Sequence, residues 1–456
     1  MATRFKEYNP DQMLLLPPAL QHWLPEDHLA YFISDLVEEL DLSEIKDSYD
    51  GSLGGQPPYH PCMMTKILLY SYSVGIPSSR KIEKRTHEDV ATRVLAAGDH
   101  PDHDTIAAFR QQHLKPLSRI FIQVLRVCQQ AGLVKLGHVA LDGTKVKANA
   151  SKHKAMSYGR MKSKEAELER EVERLLKEAE VTDELEDRTY GKGKRGDELP
   201  DELRFREKRL AKIREAKAVL EEEARQEAET KRKEQAEKAK QKESDGNRRG
   251  RPPKPPSETP KDKKQYNFTD PESGIMKDGA SKAFVQGYNA QIAVDGDSQI
   301  IVATGVTQQA TDHHQLEPMV EKIKTNTGKK PKKMSGDTGY FSEDNVKKLE
   351  QEKIDGYIAT GKEKHSRKAG PCPRGRPPKD LSVKERMERK LLTKKGKKEY
   401  SKRKEIVEAP FGQIKQGRGF RQFLLRGLEK VQGEWDLICL THNILKLHRS
   451  GYVFGS

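Results

Sequence analysis

The chain has 456 residues, with 85 Lys and Arg against 70 Asp and Glu, a formal charge of +15 and a pI near 9.3. Only 34% of the residues are hydrophobic and the mean hydropathy is −0.89, so part of the chain lies outside any packed core, although the length allows roughly two to four domains. No apolar run approaches the ~20 residues of a membrane span, and Met1–Phe5 opens no apolar signal segment. Cys62, Cys128, Cys372 and Cys439 lack pair spacing, which excludes a disulfide framework and a structural zinc site and predicts a reducing, cytoplasmic setting. The basic balance makes a polyanion the expected partner.

In chain order, residues 27–133 are expected to be helical. Leu29, Phe32, Ile33, Leu36, Val37 and Leu40 repeat with helical period, as do Met63, Met64, Ile67, Leu68 and Tyr72, then Ile120, Phe121, Val124 and Leu125. Asp104, with Pro101 just outside, is the expected cap of a short helix carrying Arg110, Gln111 and Gln112, which is placed to reach base edges if this is a helix-turn-helix-like unit. A bundle for dimerisation or support is the equal alternative. From 138 a β-rich run ends at Asp142 and a turn. Residues 162–243 then carry mixed charge at helical spacing, with Leu168, Val172, Leu175 and Leu176 answered by Leu203, Leu210, Ile213 and Leu220. This pattern predicts a solvated helical hairpin around the glycine-rich 191–196.

A Pro- and Lys-rich linker follows, then a β-hairpin over 284–306 turned at 295–298, a helix over 312–325 and a strand at 333–335 leading into Gly336-Asp337-Thr338-Gly339-Tyr340. A helix over 342–352, a strand over 355–359 and helices near 400–416 and 427–449 complete the chain. Within 361–404 there are 18 Lys and Arg against 5 Asp and Glu, nearly the whole excess charge, where a phosphate backbone is expected to lie. The order of elements indicates an α/β fold with a mixed sheet interrupted by the charged hairpin.

Three carboxylates stand out. Asp142 and Asp337 follow short strands, where side chains of α/β sheets project into a shared crevice, and Gly336 and Gly339 leave little bulk beside Asp337. Glu408 lies on a helix whose Ile406, Val407, Phe411 and Ile414 face inward. Three converging carboxylates hold two Mg²⁺ ions about 3.5–4 Å apart, the arrangement that drives in-line displacement at phosphorus. Singly each signal is weak: an Asp before Gly is mostly a turn former and a Glu on a charged helix is mostly solvated.

Together with Pro101-Asp102-His103, Thr105 and Phe109-Arg110, several further motifs carry a resemblance. They are Leu141-Asp142-Gly143-Thr144, Lys147-Ala148-Asn149-Ala150-Ser151, Tyr266-Asn267 with Asp270-Pro271, Gln286-Gly287-Tyr288-Asn289-Ala290-Gln291, Gly336 to Tyr340, and Val407-Glu408 with Phe411-Gly412, Ile414-Lys415 and Arg426-Gly427-Leu428. As an ordered set over nearly the whole chain, these resemble the DDE transposases of bacterial insertion sequences that pair an InsH-like N-terminal domain with a DDE domain of RNase H-like fold. The resemblance implies an all-α DNA-binding domain over 1–133 and an RNase H-like catalytic domain over 134–456, interrupted by a charged helical insertion at 152–265 and a basic linker at 361–399. It implies Asp142, Asp337 and Glu408 as catalytic and metal-binding residues, with Mg²⁺ as cofactor and Mn²⁺ as a substitute. Transposon ends and target DNA are the implied partners, with a homodimer in a synaptic complex and a nucleoid-associated location. Tyr400, Arg403, Glu408 and Lys415 resemble the family's Tyr–Arg–Glu–Lys signature, except that Arg403 stands one residue early and Lys404 occupies the strict position. Tyr400 would steer a base, and Lys415 an end phosphate.

Arg249-Gly250-Arg251-Pro252 and Arg374-Gly375-Arg376-Pro377 look like AT-hooks, cores fitted to a narrow A·T minor groove; Pro- and Arg-rich linkers are the bland alternative. Asp312 is expected as a helix N-cap, with a supporting carboxylate behind the catalytic acids as its alternative, and Trp435 as core, with stacking on a base of a DNA end as its alternative. Two rivals remain: a nuclease of the same fold that cuts without joining, and a non-catalytic basic DNA binder.

Overall fold

The computed structural model describes residues 19–49, 57–190, 201–244, 255–279, 282–361, 372–373, 375, 378 and 380–455. It divides into two compact units, one of residues 1–147 with 288–456 and one of residues 148–287.

The first unit begins with helices α1 (Leu29–Glu39), α2 (Ser43–Lys46), α3 (Pro61–Ser73), α4 (Ser79–Glu88), α5 (Val90–Leu95), α6 (His103–Gln112) and α7 (Leu114–Gln130). α7 shows why the periodicity was readable: Leu117, Ile120, Phe121, Val124, Leu125 and Cys128, three or four apart, are the residues it buries. The cap of α6 is Asp102, which accepts from Thr105 N at 2.6 Å; Asp104 lies inside the first turn, where its charge favours the helix N-terminus. After these helices comes β1 (Val139–Lys147). Asp142 therefore sits within a strand, not at its end.

The second unit holds β2 (Ala155–Ser157), the long helices α8 (Tyr158–Tyr190) and α9 (Asp201–Ser244), β3 (Gln265–Asn267) and β4 (Gly274–Lys277). The hairpin expected from the leucine spacing is present. Its narrow core joins Met161 and Leu168 to Leu210, Ile213 and Leu220, with Tyr158 at the base. Glu171 meets Arg206 at 2.9 Å and Glu165 meets Arg214 at 3.3 Å, so the two helices run antiparallel. Such solvated pairs contribute under about 1 kcal/mol each, and the apolar stripe supplies most of the adhesion. β2 pairs antiparallel with β3, and β4 with residues 284–287 of the next strand.

That strand, β5 (Phe284–Asp295), continues into the first unit and is followed by β6 (Ile301–Thr307), α10 (Leu316–Thr327), β7 (Lys333–Gly336), α11 (Glu343–Gln351), β8 (Asp355–Ile358), α12 (Val383–Leu392), α13 (Lys394–Gly412) and α14 (Leu428–Arg449). The strand order is β6-β5-β1-β7-β8, with β5 and β6 antiparallel and β1, β7 and β8 parallel. Helices α10, α11, α13 and α14 pack on this mixed sheet, and α14 also packs on α3 and α7. β5 is buried without a break from Gln286 to Asp295, as expected of a strand covered on both faces.

Two further expectations are corrected. Residues 383–399, expected as basic linker, are largely helical: Ser382 and Glu385 form a reciprocal capping box for α12, and Thr393 caps α13. Helix α10 starts at Leu316, and Gln315 rather than Asp312 occupies its cap position.

Candidate active site

The parallel pairing of β1 with β7 sets Val139 opposite Met334 and Ala140 opposite Ser335. Two residues further along each chain come Asp142 and Asp337. Residues two apart on a strand share a face, so this register brings two carboxylates from distant parts of the sequence side by side. Asp142 accepts from Gly143 N at 2.9 Å, and Asp337 from Gly339 N at 2.8 Å as it caps the 3₁₀ turn Thr338–Tyr340. Burial pushes Asp142 up to about 6; Arg403 opposes the shift, and repulsion from Asp337 adds to it. Burial likewise raises Asp337, with the Gly339 N–H opposing and repulsion from Asp312 adding. The pair is a concentration of negative charge with too little solvent around it.

Basic groups of α13 and β1 approach this charge. Arg403 Nη1 lies 3.4 Å from Asp142 Oδ2, and its guanidinium carbon stands 5.8 Å from the centre of the Tyr400 ring. Of the neighbours Arg403 and Lys404, the structure turns Arg403 inward and leaves Lys404 exposed. After Pro410, which cannot donate to the helix ladder, α13 widens into a π turn over Gln413–Gly417. From that turn Lys415 Nζ donates to Thr144 Oγ1 at 2.6 Å and to Lys145 O at 2.8 Å, so it is tied to β1. Lys145 Nζ stands 4.0 Å from Asp312 Oδ1; burial lowers its pKa, against the pull of Asp312, Asp337 and Asp142.

Asp312 does not cap a helix but stands near these acids, the lesser of its two expected roles. Its Oδ1 accepts from Asn289 Nδ2 at 2.7 Å and from Gln291 Nε2 at 2.6 Å, two amides on one face of β5. Tyr340 donates to Gln291 Oε1, and Trp435, buried as expected, donates through Nε1 to Gln291 O at 3.0 Å. The signal was the polar pair alternating with apolar residues in Tyr288-Asn289-Ala290-Gln291, since buried carboxamides need partners.

The remaining residues are placed less centrally. Glu408 is exposed on α13 and is not among the main charges acting on Asp142 or Asp337. Arg110 does not present itself to DNA: it is buried, and its Nη1 donates to Pro77 O at 2.7 Å and Tyr72 Oη at 3.1 Å. A helical arginine reads as a base reader only while its inner neighbours are unknown; Gln111 and Gln112 are the exposed residues of that segment. Arg249, Arg251, Arg374 and Arg376 lie outside the described residues.

Among the described residues no three His, Cys, Asp or Glu side chains stand together as a metal site. The chemistry of the cleft nevertheless fits a hard divalent cation. It offers poorly solvated carboxylate oxygens, and Asn289 Oδ1 is buried without a hydrogen-bond partner among the described residues. Arg403 is the positive group that now partly neutralises Asp142.

A mixed sheet carrying adjacent, half-buried aspartates beside a basic helix defines a candidate phosphoryl-transfer centre. Residues 18–112 match the family model for the transposase domain DUF772, and residues 249–444 match that for the transposase DDE domain. The second match includes Asp337 and Glu408 but starts after the helical hairpin, leaving Asp142 upstream of it. No curated protein and no solved structure matches the chain. With two transposase models in this order over nearly two thirds of its length, the chain belongs to the DDE transposases of insertion sequences.

Proposed function

We infer that the protein binds the terminal repeats of its own element and catalyses Mg²⁺-dependent cleavage of the DNA ends, followed by joining of the 3′-hydroxyls to target DNA. The observation that carries this reading is the parallel β1–β7 register, which sets Asp142 beside Asp337 in a desolvated cleft. The strand order, with an antiparallel pair followed by three parallel strands, supports an RNase H-like sheet. Asp142 and Asp337 would hold the metal, with Glu408 closing the set from α13 once DNA is bound. Divalent ions there supply Lewis-acid activation of the attacking oxygen and neutralise the leaving one.

The chain's own groups do the positioning. Burial keeps the acids poorly hydrated, so they bind cations in preference to remaining charged alone. Arg403 balances Asp142 in the metal-free protein, and stands within reach of a phosphate once a cation takes over that task. Lys415, anchored on Thr144, fixes the end of α13 against β1. Tyr400, beside Arg403, offers a ring face to a base near the cut. Gln111, Gln112 and the basic segment around 361–404 extend the DNA contact, and two protomers would hold paired ends in a synaptic complex.

The test is cleavage and strand transfer on labelled DNA carrying the element's termini, with Mg²⁺. Asp142→Asn, Asp337→Asn and Glu408→Gln are each expected to lose at least ~100-fold in rate while remaining folded. Undiminished cleavage in the two Asp variants would end the reading; cutting without joining in the wild type would leave a nuclease.

A further inference from the structure

The motif around Asn289 and Gln291 is not used by the two-aspartate centre, and it points to a third acid. Asp312 lies in the connection between β6 and α10, a position from which a carboxylate would ordinarily cap the helix or face water. Instead one of its oxygens, Oδ1, is clamped by two carboxamides from β5, at 2.7 Å and 2.6 Å. The clamp is itself held, because Gln291 takes the hydroxyl of the buried Tyr340 and Asn289 also donates to Gln309 O at 3.1 Å. That is a large investment of buried polar groups in the orientation of one side chain.

The other oxygen, Oδ2, lies toward Asp337. A methyl group placed on Gly339 would lie 2.9 Å from Asp312 Oδ2 and 3.0 Å from Asp337 Oδ1, so the two oxygens flank a single glycine-sized gap. On β1, a methyl group on Gly143 would lie 2.6 Å from Asp312 Oδ1 and 2.9 Å from Asn289 Oδ1. Both glycines are therefore spaces that a side chain would fill. Independent of the acids, Asn289 Oδ1 is fully buried, faces the space at Gly143 and has no hydrogen-bond donor among the described residues. A neutral amide oxygen left in that state is what a cation or its water shell would satisfy.

We propose that Asp312 is a metal-binding carboxylate of this centre, supplying the oxygen next to Asp337, with Asn289 and Gln291 orienting it as outer-shell partners. The proposal rests on the metal-dependent reading above and deepens it: the three acids do not stand together as a formed site in the metal-free chain, and a bound cation would draw Asp312 in beside Asp142 and Asp337 before DNA arrives. Oriented ligands of this kind depend on their outer shell, whose loss typically weakens metal binding about 10–100-fold.

The test uses the full-length protein without DNA. Mn²⁺ binding is measured by titration calorimetry for the wild type, Asp312→Asn, Asp142→Asn and, as a control on an exposed acid of α11, Asp344→Asn. Asp312→Asn is expected to weaken Mn²⁺ at least tenfold, as Asp142→Asn does, with Asp344→Asn unchanged. Asp312→Asn binding Mn²⁺ like the wild type, while Asp142→Asn loses it, overturns the assignment of Asp312 and leaves the aspartate pair standing. No Mn²⁺ binding by the wild type, or none lost in Asp142→Asn, overturns the metal reading and this proposal with it. Because Asp312→Asn could disturb the fold, bound Fe²⁺ in the wild type provides a second readout through hydroxyl-radical cleavage of the backbone. Cuts are expected beside residue 312 as well as 142 and 337, and cuts at the latter two alone refute the proposal.

Discussion

Asp142→Asn is the perturbation that tests the electrostatics of the centre most directly. A free aspartate titrates near 3.8, whereas burial pushes Asp142 up to about 6. The folded chain thus holds this proton more tightly than the unfolded chain does. The stabilisation from the protonated acid is complete below the unfolded value and is lost as the pH rises through the folded value. A gap of about two pH units, at about 1.36 kcal/mol per unit, corresponds to about 3 kcal/mol at most. The side chain retains 24% exposure, so the expected net effect is about 1–3 kcal/mol. Asparagine imitates the protonated acid. With chelator present, Asp142→Asn should therefore be more stable than the wild type at pH 8 by this amount, and equal to it near pH 3. Urea denaturation at the two pH values, followed by amide-exchange protection in β1, measures the difference. A variant that is equally or more destabilised at pH 8 than at pH 3 would refute the claim that Asp142 is an under-compensated buried charge.

Two further substitutions bear on the same structure. Gly339→Ala places a methyl group between Asp312 and Asp337 without a positive-φ penalty, and should cost about tenfold or more in Mn²⁺ affinity with little change in Tm; unchanged affinity would show that the gap is not used. Arg110→Ala leaves Pro77 O and Tyr72 Oη without their donor, and should lower stability by about 1–3 kcal/mol while leaving the slope of log affinity for end DNA against log salt unaltered. A reduced salt slope with intact stability would return Arg110 to the DNA contact.

Local pattern made some of the architecture legible before any coordinates. The apolar positions of α7 recur every three or four residues, and Leu168 of α8 answers Leu210, Ile213 and Leu220 of α9, although Leu176 is exposed, because one helix face must find apolar cover whatever its partner is. The same holds for the β5–β6 hairpin. Element ends were less legible. β1 was expected to stop at Asp142, yet it continues to Lys147, where it meets Gln422 in a parallel bridge. α12 was hidden in a lysine-rich segment whose capping box, Ser382 with Glu385, was there to be read.

By itself the sequence determined the charge surplus, the helical and strand periodicities, the charged hairpin and the ordered motifs that mark a transposase, since each depends on neighbours within a few turns or strand residues. Only the tertiary structure decided that Asp142 and Asp337 share a register, that Arg403 rather than Lys404 faces Asp142, that Arg110 turns inward, and that Asp312 is held by Asn289 and Gln291. Those facts are pairings between residues tens to hundreds of positions apart. They are fixed by strand register and by which buried amides and carboxylates partner one another; a local stretch such as Tyr288-Asn289-Ala290-Gln291 signals that partners are needed but not which residues supply them.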